Sequence, residues 1–274
     1  MDSRQIQEHW KKWATSYGSD LRATTKSRTA KALELDALKR RFNAIRETTQ
    51  VARVLEAGCG NGINCVELAK EFSESHFDGF DLIPEMISAA VENSRAAGVA
   101  DRTRYFASGV LEMDSIDDLE RTYDIVFTVR CLINLNEVAL QRRAITTLAS
   151  RVRPGGYLLM IENSMASYRK QNECREFLGL SPREPAEFNL FFDESEIRPH
   201  ITYAGLDLID VEDFSSLHDL MLYVLLPSIS DGQVDYGHPL IQAAAALSER
   251  VFSQEPGVFG DFGQNRLFVC LKPE

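Results

Sequence analysis

A glycine-rich turn is the part of this sequence whose residue types and spacing are best suited to binding a ligand. Gly58, Gly60 and Gly62 alternate with single residues, and Glu56 lies two positions before the first of them. Glycine tolerates positive φ angles and, because it has no Cβ, lets a ligand approach the backbone. A helix that follows such a turn directs its N–H groups at a bound anion. The apolar run before the turn and the helical pattern after it therefore predict a nucleotide-binding turn.

An acidic residue follows at a spacing that fits a ribose. Asp81 closes the next apolar run, 23 residues after Gly58. A carboxylate at the end of the strand beside such a turn can accept hydrogen bonds from both ribose hydroxyls. The dinucleotide fingerprint requires a third glycine at the sixth position of the motif, where this chain has Ile63. The pattern therefore predicts a nucleotide-like cofactor and disfavours NAD.

Beyond residue 50, short apolar runs alternate with helical stretches. Pro84 begins one of these helices and Gly98 ends it. The predicted strands are 51–57, 76–81, 103–108, 123–129 and 157–162, followed by 206–214 and 266–271. Such alternation is typical of βαβ units that form a parallel sheet. Ligands bind such sheets at the carboxyl ends of the strands, where the glycine turn would lie.

The turn, Asp81 and their order along the chain resemble the motifs of class I S-adenosylmethionine-dependent methyltransferases that act on small molecules. A second turn at 153–157, Arg-Pro-Gly-Gly-Tyr, is similar to the one before the family's fifth strand. The resemblance covers roughly residues 51–163. It implies S-adenosylmethionine as the cofactor. It also implies an α/β, Rossmann-like seven-stranded sheet, with five parallel strands plus a C-terminal antiparallel pair, a helical N-terminal lid and cap insertions.

The resemblance also implies which residues bind the cofactor. Glu56 takes the place of the acidic residue that orients the cofactor's amino-acid end, and Asp81 that of the ribose acceptor. Val110 departs from the family, in which many members have Asp after the glycine that corresponds to Gly109. Adenine would then be held by backbone groups and apolar contacts. The implied cofactor-binding residues are Tyr17, Glu56, Gly58, Cys59, Gly60, Gly62, Asp81, Leu82, Met86, Gly109, Val110, Leu111 and Arg130.

The N-terminal region has a helical pattern from residue 4 to residue 47. Trp10, Trp13 and Tyr17 share one helical face, and Tyr17 resembles the lid tyrosine that contacts the methionine part in many of these enzymes. A helix packed on the flank of the sheet explains the tryptophans equally well. The predicted organisation is a lid over 1–50 and a methyltransferase domain over 51–274, with cap insertions at about 164–200 and 215–264.

Polar residues follow the predicted fourth strand. Arg130 could hold a substrate anion through two parallel hydrogen bonds. Asn134 falls where the similar ubiquinone-type O-methyltransferases have a histidine, and it could orient a substrate but not remove its proton. Capping of the next helix or a bridge to Glu137 are alternatives of equal weight.

A second polar cluster follows the fifth strand. Glu162 could deprotonate or orient a nucleophile, or it could form a salt bridge to the cap. The predicted catalytic residues are therefore Arg130, Asn134, Glu162 and Tyr168. Asn189 is a further candidate contact to the substrate. His200 and His218 lie in the predicted cap, and neither is assigned a catalytic role.

The composition restricts the partners. Lys and Arg number 30 against 41 Asp and Glu, a formal net charge of -11, so nucleic acid is not an expected partner. No apolar stretch is long enough to cross a membrane, and we expect a cytoplasmic protein, either monomer or homodimer. The five cysteines form no C-x-x-C pair, so we expect reduced thiols and no metal.

Three functions remain open from the sequence. The first is transfer of a methyl group to an O or N atom of a small, anionic metabolite. The second is an S-adenosylmethionine-consuming cyclase, in which the cofactor's own amine attacks its side chain and expels methylthioadenosine. The third is a binding protein that senses the cofactor, or an NAD-dependent enzyme.

Overall fold

A seven-stranded sheet lies at the centre of the fold. The computed structural model describes residues 1–252 and 257–274. The strands are β1 (Arg53–Ala57), β2 (His76–Asp81), β3 (Thr103–Ala107), β4 (Tyr123–Val129), β5 (Val152–Asn163), β6 (Asp207–Glu212) and β7 (Asn265–Leu271). Their order across the sheet is β3-β2-β1-β4-β5-β7-β6.

The strand directions agree with the predicted sheet. β1 is parallel to β2 and β4, β2 is parallel to β3, and β4 is parallel to β5. β7 lies antiparallel between β5 and β6. The Rossmann-like sheet with five parallel strands and a C-terminal antiparallel pair is therefore confirmed. The order of the strands reverses between β1 and β4, which is where ligands bind in open sheets of this kind.

Ten α-helices surround the sheet in the described residues. They are α1 (Ser3–Tyr17), α2 (Arg28–Arg46), α3 (Ile63–Glu71), α4 (Pro84–Ala97), α5 (Val138–Arg151), α6 (Met165–Phe177), α7 (Glu194–Tyr203), α8 (Ser216–Leu220), α9 (Leu226–Ser228) and α10 (Pro239–Phe252). Short 3-10 helices occupy Leu21–Ala23, Met113–Ser115 and Leu132–Asn134, and a π-helical turn, Met221–Leu225, joins α8 to α9. Pro84 begins α4 and Gly98 ends it in a left-handed conformation, as predicted.

Alternate side chains of β4 face two different hydrophobic layers. Phe127 faces one layer, in which its ring centroid lies 6.0 Å from that of Phe42 of α2. The Phe42 centroid lies in turn 5.3 Å from that of Phe72. Val126 faces the opposite layer, which includes Leu148 of α5. This alternation is the ordinary consequence of a strand that is covered on both faces. Because α2 packs in the layer that contains Phe127, the predicted lid over 1–50 stays a prediction for the residues before α2.

The two predicted cap insertions are largely helical. Residues 164–200 contain α6 and most of α7, and the irregular segment between them is pinned by a bridge from Phe192 to Ser164. Residues 215–264 contain α8 to α10, and residues 253–256 of this predicted insertion lie outside the described residues. Among the helices of the described ranges, none combines the length and apolar composition that crossing a bilayer requires.

Replacement of Phe42 by Ala should destabilise the fold strongly. The Phe42 ring of α2 is fully buried against Phe72 and β4. Its removal therefore leaves a cavity and lowers the free energy of unfolding by about 3–5 kcal/mol. Phe177→Ala is the matched control, because that ring is 94% exposed. Urea unfolding followed by circular dichroism measures both changes. Equal effects of the two substitutions would contradict the assigned packing of α2.

Candidate functional site

A cavity of about 960 Å³ lies at the carboxyl ends of β1 and β4, where the strand order reverses. Its wall is built from the glycine turn after β1, the loops after β2, β3 and β4, helices α1 and α2, and the two cap insertions. Small-molecule sites commonly measure roughly 300–1,000 Å³. The volume is therefore at the upper end of that range, which suits a cofactor together with a second molecule.

The glycine turn adopts the conformation that its sequence predicts. Gly58 and Gly60 have φ angles of 69° and 52°, which side chains with a Cβ rarely adopt. A Cβ on Gly58 would collide with Cys131, and one on Gly60 would collide with Thr24. Both glycines line the cavity, as does Cys59 between them. The backbone of the turn thus lies directly against the cavity.

Gly62 and Glu56 lie outside the cavity lining. Gly62 has a φ angle of 75°, and a Cβ there would meet Ala90 of α4 at 2.8 Å, so this glycine permits close packing of α3 on α4. Glu56 is fully buried beneath the turn, where it accepts hydrogen bonds from Asn64 Nδ2 at 2.7 Å and Cys65 Sγ at 3.0 Å. Burial raises the pKa of Glu56 to about 7. Of these residues only Asn64 lines the cavity, so Glu56 can act there only through Asn64.

Asp81 lies at the end of β2 with its carboxylate on the cavity wall. Oδ2 accepts from the backbone N–H of Gly60 and Oδ1 from that of Ile83, each at 2.9 Å. Burial raises the pKa of Asp81, and these two N–H groups oppose the increase. Each carboxylate oxygen has a second lone pair, so Asp81 can hold the turn and still accept from a ligand.

The predicted adenine-binding residues form one apolar section of the wall. Leu82, Met86 and residues 109–111 all line the cavity. Ser108 and Glu112 line the same section and were not predicted. Glu112 is the first carboxylate after Val110, the position at which many family members have Asp. Its place three residues after Gly109 is the signal that could have identified it.

A buried ion-pair network forms the floor of the cavity. Arg130 Nε lies 2.8 Å from Glu34 Oε1, and Lys31 Nζ lies 2.6 Å from Glu34 Oε2. Burial raises the pKa of Glu34, but Arg130 and Lys31 outweigh it and hold the pKa below its usual value. Arg130 has a positive φ of 53°, which is uncommon for a side chain with a Cβ. Arg130 thus pairs with Glu34 of α2 and not with Glu137, so the alternative bridge to Glu137 was wrong.

The sequence interpretation missed Lys31 and Glu34. Glu34 shares a helical face with Leu38 and Phe42, because the three residues are spaced by four. A carboxylate that interrupts an apolar stripe must be paired once the stripe is buried. This interruption is the signal that could have indicated a buried partner such as Arg130.

Asn134 lines the cavity and uses its amide to hold the surrounding structure. Its Nδ2 donates to the carbonyl oxygens of Arg130 at 2.8 Å and Cys131 at 3.4 Å. Its Oδ1 accepts from Trp10 Nε1 of α1 at 3.1 Å. Asn134 therefore shapes its own turn and fastens α1 over the cavity, which fits the capping alternative better than contact with a substrate.

Helix α1 covers the cavity with its two tryptophans, and Tyr17 lies elsewhere. Trp10 and Trp13 line the cavity, whereas Tyr17 packs toward Met86 and under the guanidinium of Arg22. Tyr17, which was predicted to contact the cofactor, therefore lies outside the cavity lining. The tyrosine lies at the end of α1, where the chain turns away from the cavity at Gly18.

Glu162 and Tyr168 do not line the cavity either, which corrects their predicted catalytic roles. Glu162 is fully buried and accepts hydrogen bonds from the Thr128 hydroxyl and from three backbone N–H groups of residues 131–133. The partners of Glu162 are thus the turn after β4 and not a cation of the cap. Tyr168 is buried against Phe191 at a centroid distance of 5.0 Å.

Two asparagines present unused acceptors to the cavity. Asn61 donates from Nδ2 to the carbonyl oxygens of Gly18 and Asp20, while its Oδ1 is buried without a hydrogen-bond partner in the described residues. The Oδ1 of Asn189 is also buried and has no hydrogen-bond partner among the described residues. Both residues line the cavity. Buried acceptors of this kind are normally satisfied, so each indicates a donor that a bound molecule would bring.

The central segment of the chain, residues 54–156, is similar to known proteins. Residues 54–156 match the family model described as a methyltransferase domain. The ubiquinone biosynthesis O-methyltransferase of Xylella fastidiosa (strain M23) is 27% identical over 164 residues, which are 58% of this chain and 63% of that protein. The chain thus spans less than two thirds of the length of that relative. The resemblance to class I methyltransferases is confirmed for this segment.

Solved structures share the fold over most of the chain. The plantazolicin methyltransferase, in complex with a triazolic desmethyl analog and SAH, has a TM-score of 0.59 and 15% identity, covering 99% of this chain and 97% of that one. Magnesium protoporphyrin IX methyltransferase from Synechocystis PCC 6803, with bound SAH, has a TM-score of 0.53 and 14% identity, covering 87% and 82%. At these identities the likeness establishes the fold.

Replacement of Glu162 by Gln should test its structural role. The amide would turn an NH₂ group toward a backbone N–H donor and lower the free energy of unfolding by about 1–3 kcal/mol. Burial raises the pKa of Glu162 to about 7, above the ordinary 4.5 of the unfolded chain. The contribution of the carboxyl is therefore complete below about pH 4.5 and is lost as the pH rises to about 7. Urea unfolding should show a larger difference between wild type and variant at pH 5 than at pH 7.5. A difference that grows with pH would contradict this assignment.

Proposed function

We propose that this chain, whose residues 54–156 form a methyltransferase domain of class I fold, is an S-adenosylmethionine-dependent methyltransferase that acts on an O or N atom of a small molecule. The observation that carries the proposal is the convergence of Gly58, Gly60 and Asp81 on one cavity with space for a second molecule. The O-methyltransferase relative supports an oxygen acceptor. The cytoplasmic location and the choice between monomer and homodimer stay predictions.

The residues of the cavity fit the cofactor. Asp81 would accept from the ribose hydroxyls, and the glycine turn would lie against the ribose and the chain beyond it. The unpartnered Oδ1 of Asn61 would accept from the cofactor's ammonium group. When bound, the cofactor supplies an electrophilic methyl group on a sulfonium. The protein's contribution is then to exclude water and to hold the acceptor in line with that methyl group.

The contacts of Arg130 favour an acceptor that carries an anionic group. Its Nε faces Glu34, and its two terminal amino groups make no hydrogen bond within the described residues. The side chain is 23% exposed and lines the cavity, so these donors are available to a carboxylate. Two parallel N–H donors match the geometry of a carboxylate. The buried pair with Glu34 would fix the orientation of the guanidinium before a ligand binds.

The adenosyl product distinguishes the candidate reactions. Purified protein is incubated with S-adenosylmethionine alone and with cell extract, and the products are identified by mass spectrometry. We expect S-adenosylhomocysteine only in the presence of extract. Methylthioadenosine formed without a co-substrate would instead indicate the cyclase alternative. Absence of both products, together with no cofactor binding in calorimetry, would contradict both enzymatic functions.

Asp81→Ala should weaken binding of S-adenosylhomocysteine by about 30- to 150-fold, because buried ribose hydroxyls lose a charged acceptor worth about 2–3 kcal/mol. Isothermal titration calorimetry measures the change. Asp118→Ala is the control, since Asp118 is exposed on a loop away from the cavity. Thermal unfolding of both variants shows whether the glycine turn, which Asp81 also holds, remains folded. Unchanged affinity in a folded Asp81 variant would refute its placement at the ribose.

A further inference from the structure

His218 is a fully buried histidine with a partner on each ring nitrogen. Nδ1 lies 2.7 Å from Asp219 Oδ1, and Nε2 lies 2.8 Å from the hydroxyl of Thr29. Asp219 is fixed in turn, because its Oδ2 accepts from the Ser215 hydroxyl at 2.9 Å and from the backbone N–H of Gln264 at 2.6 Å. With Nδ1–H donating to Asp219, Nε2 is the acceptor that faces Thr29.

The hydrogen bonds continue from Thr29 to the cavity wall. The Thr29 hydroxyl lies 3.1 Å from the hydroxyl of Ser27, and Ser27 lines the cavity. Thr24 contacts Gly60 on one side of Ser27, and on the other side Lys31 reaches Asn64. Ser27 thus lies along the chain between two residues that contact the glycine turn and the helix after it. Two hydrogen bonds, between Ser27 and Thr29 and between Thr29 and His218, thus join the cavity wall to a buried imidazole–carboxylate pair.

We propose that Ser27, Thr29, His218 and Asp219 form a relay that takes up the proton of a phenolic hydroxyl on the methyl acceptor. This inference rests on the proposed methyltransferase function and names the acceptor class. Ser27 is the group that would touch the acceptor. Thr29, His218 and Asp219 act through Ser27 as positioning residues.

The proton and electron pairs balance along the relay. The acceptor oxygen forms its bond to the methyl carbon while the bond from that carbon to sulfur breaks. The acceptor's proton passes to Ser27, the proton of Ser27 to Thr29, and the proton of Thr29 to Nε2 of His218. Asp219 accepts the hydrogen bond from Nδ1–H throughout and stabilises the imidazolium. The products are the methylated acceptor, S-adenosylhomocysteine and one proton that is returned to solvent.

The predicted catalytic residues cannot take this proton. Glu162 lies outside the cavity lining, and Asn134 is not a base. Asp219 also lines the cavity, but its two oxygens are already held by His218, by Ser215 and by the backbone N–H of Gln264. His9 lines the cavity as well and is the rival group. Its ring is stacked 4.4 Å from that of Phe188, and it has no hydrogen bond in the described residues that would orient it. Burial, with Lys12 as a further cause, lowers the pKa of His9.

The His218–Asp219 pair lies among further charged and aromatic groups. Asp213 lies close enough to Asp219 for the two carboxylates to repel, and Arg266 lies 3.7 Å from Asp213. Tyr223 also faces Asp219 and lines the cavity together with Tyr236. Aromatic walls of this kind suit a flat acceptor. A phenol gains nucleophilicity when it loses its proton, so a relay is useful for such an acceptor.

The test uses 4-nitrocatechol, whose absorbance reports ionisation of its hydroxyl, bound to protein saturated with S-adenosylhomocysteine. Binding is followed by tryptophan fluorescence, since the chain's only two tryptophans, Trp10 and Trp13, both line the cavity. We expect the bound probe to ionise at lower pH than the free probe. Thr29→Val and His218→Gln should each raise this midpoint by about one pH unit, because each removes a hydrogen-bonded group that stabilises the ionised probe.

Three controls separate the relay from a structural role. Thr29→Ser restores a hydroxyl and should restore the wild-type midpoint. His200→Gln is the matched control, because His200 bonds to Thr146 and to the Arg142 carbonyl away from the cavity. Affinity for S-adenosylhomocysteine should stay unchanged in His218→Gln, and thermal unfolding shows that each variant is folded at the temperature of the assay.

Three results would overturn the relay. One is a midpoint that is the same in wild type, Thr29→Val and His218→Gln. Another is a shift in His9→Gln without one in His218→Gln. The third is no binding of 4-nitrocatechol by protein that binds S-adenosylhomocysteine, which removes the phenolic acceptor and leaves the proposed function standing. Failure to bind S-adenosylhomocysteine itself, which calorimetry detects without the probe, would instead count against the proposed function.

Discussion

The carboxylate of Glu34 is buried completely and joins the N-terminal part of the chain to the sheet. It pairs with Lys31 on its own helix and with Arg130 after β4, and it also accepts a hydrogen bond from Asn265 at the start of β7. A buried charge that loses its partner typically lowers stability by about 3–5 kcal/mol. The position of α2, the orientation of Arg130 and the floor of the cavity therefore depend on one another through this single group.

The sheet could be predicted from the sequence because its central strands, β1, β2, β4, β5 and β7, are mostly buried and read as short apolar runs between helix signals. The cofactor side of the cavity was also accessible, because Gly58, Gly60 and Asp81 follow from backbone geometry. Both kinds of signal are local. They depend on the type of residue at a position and hardly at all on which way its side chain points.

The substrate side could not be predicted for the same reason. Glu162 and Arg130 both lie at strand ends, yet one turns beneath the neighbouring loop and the other turns into the cavity. Glu56 shows the same ambiguity, since a carboxylate before a glycine turn can lie under it as well as beside it. His218 was assigned no role, because a lone histidine gives no sign in the sequence of a partner such as Thr29, which lies 189 residues away. Only the folded chain brings these residues together.

The hydrogen bond from Trp10 to Asn134 links the cover of the cavity to its floor. Asn134 also donates to the carbonyl of Arg130, so one amide group contacts both α1 and the turn that presents the guanidinium. Any displacement of α1 would therefore deprive Asn134 of its partner directly beside the guanidinium that faces the cavity.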